Sequence, residues 1–469
     1  MTATTAAEHA PIQKSLLALL MPAMLVTVVA SDMVNLMLPS IGKQFGASEA
    51  ELAWVVTGFL LMFSIGIPCY GRISDRVSLR RLFGFALSVY AAGSLVCALA
   101  PNLPALVAGR IVTGAGAAAI PVLAIVAVTR LMPEGRRGTG IGVLSAAAGI
   151  GTAAGPALGG GIGQHLGWSA LFWFMFAISL VLLPAALHVL PDHRPSHAGR
   201  FDFVGGALLG LGAGLLLFGI TQLQVAGLSA PESWASISVA VLALILFGWR
   251  TVRVAHPFVP PALFANRTYR VSVLIAFLAM AVNLGALVYV PLLLVEVNGL
   301  TPGEGALVMI PAGIAVAVLS PLIGRLADRI GTRPLVLSGL AVIGVFALLL
   351  STFAGNTSVL PAGVGVLGLS IGFIFVITPI ISAAAGSLPA AQVGVGLGLL
   401  QGAQFLGAGA GPAVFGVLVT ALRESGRAAT NPFHATADGA AYSDAFLLMS
   451  LVAAAALLTA IRLRPRMTR

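Results

Sequence analysis

Gly71-Arg72-Ile73-Ser74-Asp75-Arg76-Val77-Ser78-Leu79-Arg80-Arg81 is a short basic stretch with an apolar run on either side, at 52–70 and 82–100. One acid and four arginines in eleven residues do not lie in hydrocarbon. The stretch is therefore read as a tight turn at a membrane surface, and the flanking runs as spanning helices. The turn recurs 253 residues later as Gly324-Arg325-Leu326-Ala327-Asp328-Arg329-Ile330-Gly331-Thr332-Arg333, again between apolar runs. One helical unit is used twice.

Composition agrees. Of the 469 residues, 58% are hydrophobic and 9% charged, and the mean hydropathy is +1.03. A soluble domain carries about 25% charged residues, so the chain is an integral membrane protein. Its net charge of +10 lies in arginines between apolar runs, where it reads as an orientation signal rather than a nucleic-acid surface. Cys69 and Cys97 both sit within apolar runs, which argues against a disulfide framework or a metal cluster.

Fourteen runs approach the roughly 20 apolar residues that a spanning helix needs: 15–40, 52–70, 82–101, 104–130, 138–163, 168–190, 203–225, 233–250, 271–296, 304–326, 334–354, 359–382, 393–422 and 443–462. With the N-terminus inside, 21 of the 25 Lys and Arg residues fall in cytoplasmic loops and tails. The positive-inside rule thus supports fourteen spans with both termini cytoplasmic. The repeat fixes the domains. Gly155-Pro156 is echoed by Gly411-Pro412, and Pro39 by Pro291, at offsets of 256 and 252. The predicted fold is all-α: two pseudo-symmetric six-helix bundles, 1–190 and 261–469, with a linker and two extra helices inserted between them at 191–260. Two related six-helix halves are a transporter architecture with the substrate path between them.

These motifs resemble the major facilitator superfamily, and within it the fourteen-helix drug:proton antiporters. Gly71, Asp75, Arg76, Arg80 and Arg81 match the family's loop 2–3 motif, with Ser78 where glycine is usual; the second copy keeps that glycine as Gly331. Arg110-Ile-Val-Thr-Gly114-Ala-Gly116 is similar to the helix-4 motif. The stretch Gly151-Thr-Ala-Ala-Gly155-Pro156-Ala-Leu-Gly159-Gly160 is similar to the helix-5 motif of antiporters, and Arg200-Phe-Asp202-Phe-Val-Gly205 to the opening of helix 7 in the fourteen-helix group. Trp54 to Gly71 resembles the tetracycline exporters, although Ala408 aligns with a carboxylate they carry in helix 13. The resemblance implies export of small, mainly apolar drugs, with tetracycline a candidate, from a bacterial cytoplasmic membrane by a monomer that exchanges drug for protons and uses no cofactor.

The residues themselves suggest roles. Asp75, at a helix end, can engage a neighbouring helix N-terminus and a facing arginine, a latch for the state closed to the cytoplasm; Asp328-Arg329 repeats it. A plain positive-inside loop is the alternative. Among the fifteen acids only Asp32 lies well inside a span. There its pKa rises, and it can load and release protons near neutrality. Arg110, the lone base within a span, either tunes Asp32 or anchors helix packing through backbone carbonyls. Asp32 stands two residues from the family's acid position, Ala30, about 200° around the helix. Glu296 is a second proton candidate. Gly151, Gly155 and Gly159 share a face for close helix packing, and Pro156 would bend the helix. Asn35, Asn283, Gln401 and Gln404 are candidates to line the path.

The chain carries no phosphate-binding glycine loop with its lysine, which argues against primary active transport, and no His or Cys constellation that would point to an enzyme. A proton-coupled uptake symporter and a non-transporting sensor are the rival readings on the same fold.

Overall fold

The computed structural model describes residues 3–192, 202–226, 230–353, 355, 358–425, 428–434 and 439–463. Its architecture is all-helical. Among the described residues fourteen long helices coincide with the fourteen apolar runs: α1 Ala3–Phe45, α2 Glu49–Ser74, α3 Leu79–Ala98, α4 Leu103–Leu131, α5 Arg137–Leu166, α6 Trp168–Val189, α7 Phe203–Ala226, α8 Pro231–Arg253, α9 Arg267–Glu296, α10 Pro302–Ile330, α11 Thr332–Phe353, α12 Leu360–Gly386, α13 Val393–Ser425 and α14 Ala440–Ala460. Counting only the described residues, twelve of them are long and apolar enough to cross a membrane, and α1 contributes a shorter apolar stretch, Gln13–Val29.

Local chemistry sets the helix ends. Ser48 and Glu51 close a reciprocal capping box at the start of α2, and Thr301 and Glu304 do the same at the start of α10. Each box satisfies amide donors that a helix start leaves open. The two caps are 253 residues apart, the spacing of the two basic turns. Within α4 the regular helix breaks at Ala118 and resumes at Ala119. Pro121, which has no N–H to give to the preceding turn, follows three residues on.

Packing follows the sequence repeat. In the first group α1 lies against α5 and α6, α2 against α4, and α3 against α4 and α6. Eight helices on, α9 lies against α13 and α14, α10 against α12, and α11 against α12 and α14. Small residues carry the closest crossings, as expected where lipid removes the hydrophobic incentive for helices to associate: Gly114 meets the backbone of Phe59, and Gly116 that of Tyr90. Helices α7 and α8 form a hairpin. Its α7 rests on both α2 and α13, with Gly210 against Ile65 and Gly409 against Leu217. Trp54 of α2 stacks on Phe218 of α7, ring centroids 5.7 Å apart. Helix α8 turns Val239, Leu242, Ile245 and Trp249 outward, a face suited to hydrocarbon.

Candidate functional site

The two groups meet along a seam at the end of the bundle that carries the arginine-rich loops. There α2 crosses α13 and α10 crosses α5. A Cβ on Gly71 would stand 2.5 Å from the Gly394 carbonyl oxygen, so only glycine permits that approach. Gly324 meets the Gly138 carbonyl in the same way. Higher along the α2–α13 crossing, Phe63 packs edge-on against Phe405, with centroids 4.8 Å apart.

These crossings carry an acid each way. Asp75 caps the end of α2 and is 4% exposed. Its carboxylate accepts hydrogen bonds from the Gly394 N–H (2.8 Å) and the Val395 N–H (2.9 Å) at the start of α13. Arg130 of α4 donates to Asp75 Oδ1 at 2.6 Å and to the Ser74 carbonyl at 2.7 Å. Burial pushes the Asp75 carboxyl above its ordinary pKa, while the two amides and Arg130 pull it down. A charge this buried is tolerable because its acceptor sites are filled. Asp328, in the last turn of α10, accepts from the N–H groups of Gly138 and Thr139 (2.9 Å each) and from the Thr139 hydroxyl (3.0 Å) at the start of α5. Each group thus lays a carboxylate on a helix N-terminus of the other, where the open amides and the helix dipole favour negative charge.

Around Asp75, Arg76 and Arg80 are half-buried. Arg81 pairs with Asp192 at 3.2 Å. Ser78 caps α3 and also donates to Asp192 at 2.5 Å, so the serine in the usual glycine position has its own work. Arg72 donates to the Pro257 carbonyl, 3.2 Å away. Asp202 completes this corner: it accepts from the Gly205 N–H (2.9 Å), Arg250 Nε (2.8 Å) and the Phe258 N–H (3.2 Å). The start of α7, the end of α8 and the following loop are thereby tied together and, through Arg72, to α2. Arg329 is exposed.

Asp32 and Asn35 lie on α1, but their side chains are outside the described residues, as are those of Pro156 and Gly159 on α5. Gly151 packs against Leu25 and Val28, and Gly163 against Met37. Helices α1 and α5 therefore run parallel. Arg110 is completely buried. Its Nε donates to the Val55 carbonyl at 3.0 Å, and its guanidinium lies 4.2 Å from the centre of the Phe59 ring. Among the described residues one terminal nitrogen, Nη1, has no partner, and neither does the buried Tyr90 hydroxyl nearby. Glu296 pairs with Arg423 and accepts from the Tyr442 hydroxyl at 2.6 Å. All three residues belong to the second group, which this cluster staples internally.

Among the path candidates, Asn283 on α9 is half-buried. Gln401 and Gln404, one turn apart on α13, are each 6% exposed, and among the described residues Gln401 Oε1 and Gln404 Nε2 have no hydrogen-bond partner. An unpaired buried amide costs about 1–3 kcal/mol. Sequence reasoning did not single out Arg130, Gly138, Thr139, Gly394 or Val395. A signal for four of them was present: Gly138-Thr-Gly140-Ile-Gly142 and Gly394-Val-Gly396-Leu-Gly398 stand 256 residues apart, the offset of the Gly-Pro pairs. Arg130 has no such echo.

Relatives place this geometry. The chain is 30% identical over 391 residues to the multidrug resistance protein Stp of Mycobacterium tuberculosis, covering 83% of this chain and 72% of that protein. It is 28% identical to the tetracenomycin C resistance and export protein of Streptomyces glaucescens, again covering 83% and 72%. Its fold superposes on the human organic anion transporter MFSD10 with a TM-score of 0.67, at 18% identity over 96% of this chain and 99% of that one. The proton:xylose symporter XylE gives the same TM-score at 16% identity, over 97% of each chain. The family model of the Major Facilitator Superfamily matches residues 20–412. The chain is a membrane transporter of the Major Facilitator Superfamily.

Proposed function

We propose that this transporter is a fourteen-span drug:proton antiporter of a bacterial cytoplasmic membrane, with both termini in the cytoplasm, that expels small, mainly apolar molecules by alternating access as a monomer. Residues 1–190 and 261–469 are its two rocking halves, and 191–260 carries the linker and the added hairpin. The reading is carried by one observation, the reciprocal docking of Asp75 and Asp328 on the α13 and α5 N-termini. On this reading the seam is the cytoplasmic gate in its closed state. The names of the multidrug-resistance and tetracenomycin-export relatives support export.

In the cycle, Asp75 and Asp328 hold the cytoplasmic side shut while the cavity faces outward. Arg130 belongs to the same half as Asp75, so it travels with the acid and positions it. Opening undocks both acids and exposes the path to drug from the cytoplasm. Asp32 takes a proton from outside and releases it inside, and Arg110 favours its deprotonated form. The α1–α5 packing at Gly151 seals the first half against leak, the role the resemblance gives to the motif that runs on through Gly155, Pro156 and Gly159. Gln401 and Gln404 offer the unpaired amides a bound drug would meet.

The test uses purified protein in liposomes that enclose a pH-sensitive dye. A proton gradient is imposed and drugs are added, tetracycline first, for wild type and Asp32→Asn. Drug-dependent proton flux that the variant loses is the expected result. Flux that persists unchanged in Asp32→Asn moves the proton site elsewhere, and substrate accumulation along with protons makes the protein an uptake symporter instead.

A further inference from the structure

A second feature of the seam is a cavity of about 450 Å³ beside the Asp328 docking place, lined from both halves. Lys14 of α1 and Arg136 before α5 come from the first half; Arg325 and Arg329 of α10 come from the second. All four are exposed, and among the described residues none forms an ion pair. The one carboxylate lining the cavity, Asp328, is already spent on the α5 amides. Closing the seam therefore gathers four cations around one acid. Concentrated like charge resists closure unless an anion enters, and such an anion would bridge the halves. Leu17 and Met132 also line the cavity, so the ligand carries apolar mass beside its charge. Leu17 lies near the start of the first apolar run, which sets the cavity at the membrane surface.

We propose that this cavity binds the phosphate headgroup of an anionic lipid from the leaflet on the arginine-rich side, and that the bound lipid favours the closed seam. Basic pockets between helices at a membrane surface suit such headgroups. A ligand that contacts cations of both halves only when they are together binds the closed state better and shifts the equilibrium towards it. The effect on closure rests on the transport reading above; the binding does not.

Native mass spectrometry of the full-length protein with phosphatidylglycerol or phosphatidylcholine tests it without drug or proton gradient, so failure here leaves the transport reading standing. Wild type should retain phosphatidylglycerol in preference to phosphatidylcholine. Each neutralised charge weakens retention about fivefold, so Arg136→Gln/Arg325→Gln/Arg329→Gln together should lose on the order of 100-fold. The matching Arg→Lys triple, which guards against misfolding, should keep most of the binding. Arg253→Gln/Arg267→Gln/Arg270→Gln removes as many charges elsewhere on the same side and should change little. Undiminished retention in the pocket triple overturns the proposal, and so does an equal loss in the control triple. Displacement of the lipid by millimolar inorganic phosphate overturns the lipid as occupant.

Discussion

Asp75→Asn isolates the docking of the α2 end on α13. The substitution keeps the shape and removes the charge. An asparagine oxygen can still accept from one of the two amides, but its NH2 then faces the other N–H with nothing to offer. Arg130 lies in the same half as Asp75, so that ion pair is present whether the seam is open or closed and cancels from the difference. What remains are the two bonds to Gly394 and Val395. Hydrogen bonds to a charged group contribute about 1.5–3 kcal/mol net. Losing one of the two therefore lowers the closed-to-open ratio about 10- to 150-fold. Spin labels at Gly135→Cys and Gly386→Cys, exposed positions on the two sides of the seam, report it by electron–electron distance measurement in a background without Cys69 and Cys97. The expected result is a shift to longer distances and slower transport, with drug binding largely intact. An unchanged distance distribution, or loss of drug binding along with transport, refutes the latch.

Three further substitutions test the surrounding argument. Asp328→Asn should open the seam less than Asp75→Asn, because Asp328 is half-exposed and the Thr139 hydroxyl can still bond the new side chain; the same spin-label pair reads the order. Gly71→Ala puts a methyl group 2.5 Å from the Gly394 carbonyl oxygen. It should weaken closure by about 1–3 kcal/mol, and combining it with Asp75→Asn should add little, since both act on one crossing. Asp202→Asn should lower thermal stability by removing three bonds at the hairpin anchor. Burial is the largest influence on the Asp202 carboxyl and pulls its pKa up, but the bonds from Gly205, Arg250 and Phe258 leave it below the usual range. A depressed folded-state pKa gives stability that is complete above the unfolded value of about 4 and fades as pH falls through the folded one. The acid limb of the stability profile should accordingly be shallower in the variant, as thermal denaturation at stepped pH will show; parallel limbs would remove Asp202 from this role.

Reading the sequence succeeded where the physics is local. Among the described residues apolar length marks twelve of the long helices, because a segment in hydrocarbon must satisfy its own backbone. The basic turns stood out because charge is confined to the surface. The repeat, visible at Asp75 and Asp328, gave the paired packing of α1–α6 and α9–α14. It failed to name partners that depend on how helices cross. Nothing near Asp75 in the chain points to Gly394, 319 residues on, or to Arg130, whose reach follows from the packing of α4 on α2. The hairpin's seat on both α2 and α13 was equally hidden, since its outward face advertises lipid and its inward glycines carry no address. For Arg110 the sequence left tuning of Asp32 and carbonyl anchoring open; the Val55 carbonyl and the Phe59 ring are the contacts the structure supplies.

The exchange of acids across the seam has a consequence for assembly. Where each partner presents a carboxylate and receives the other's in the same pocket, the contact is isologous, the arrangement a twofold dimer of identical chains produces without further design. A single six-helix unit with one acid and one glycine-lined helix start would form both docking places at once by pairing with its copy. Joining the copies in one chain frees them to diverge. The present molecule has used that freedom: Arg130 backs one acid and Thr139 the other, so two hooks that symmetry would make identical now differ in their partners.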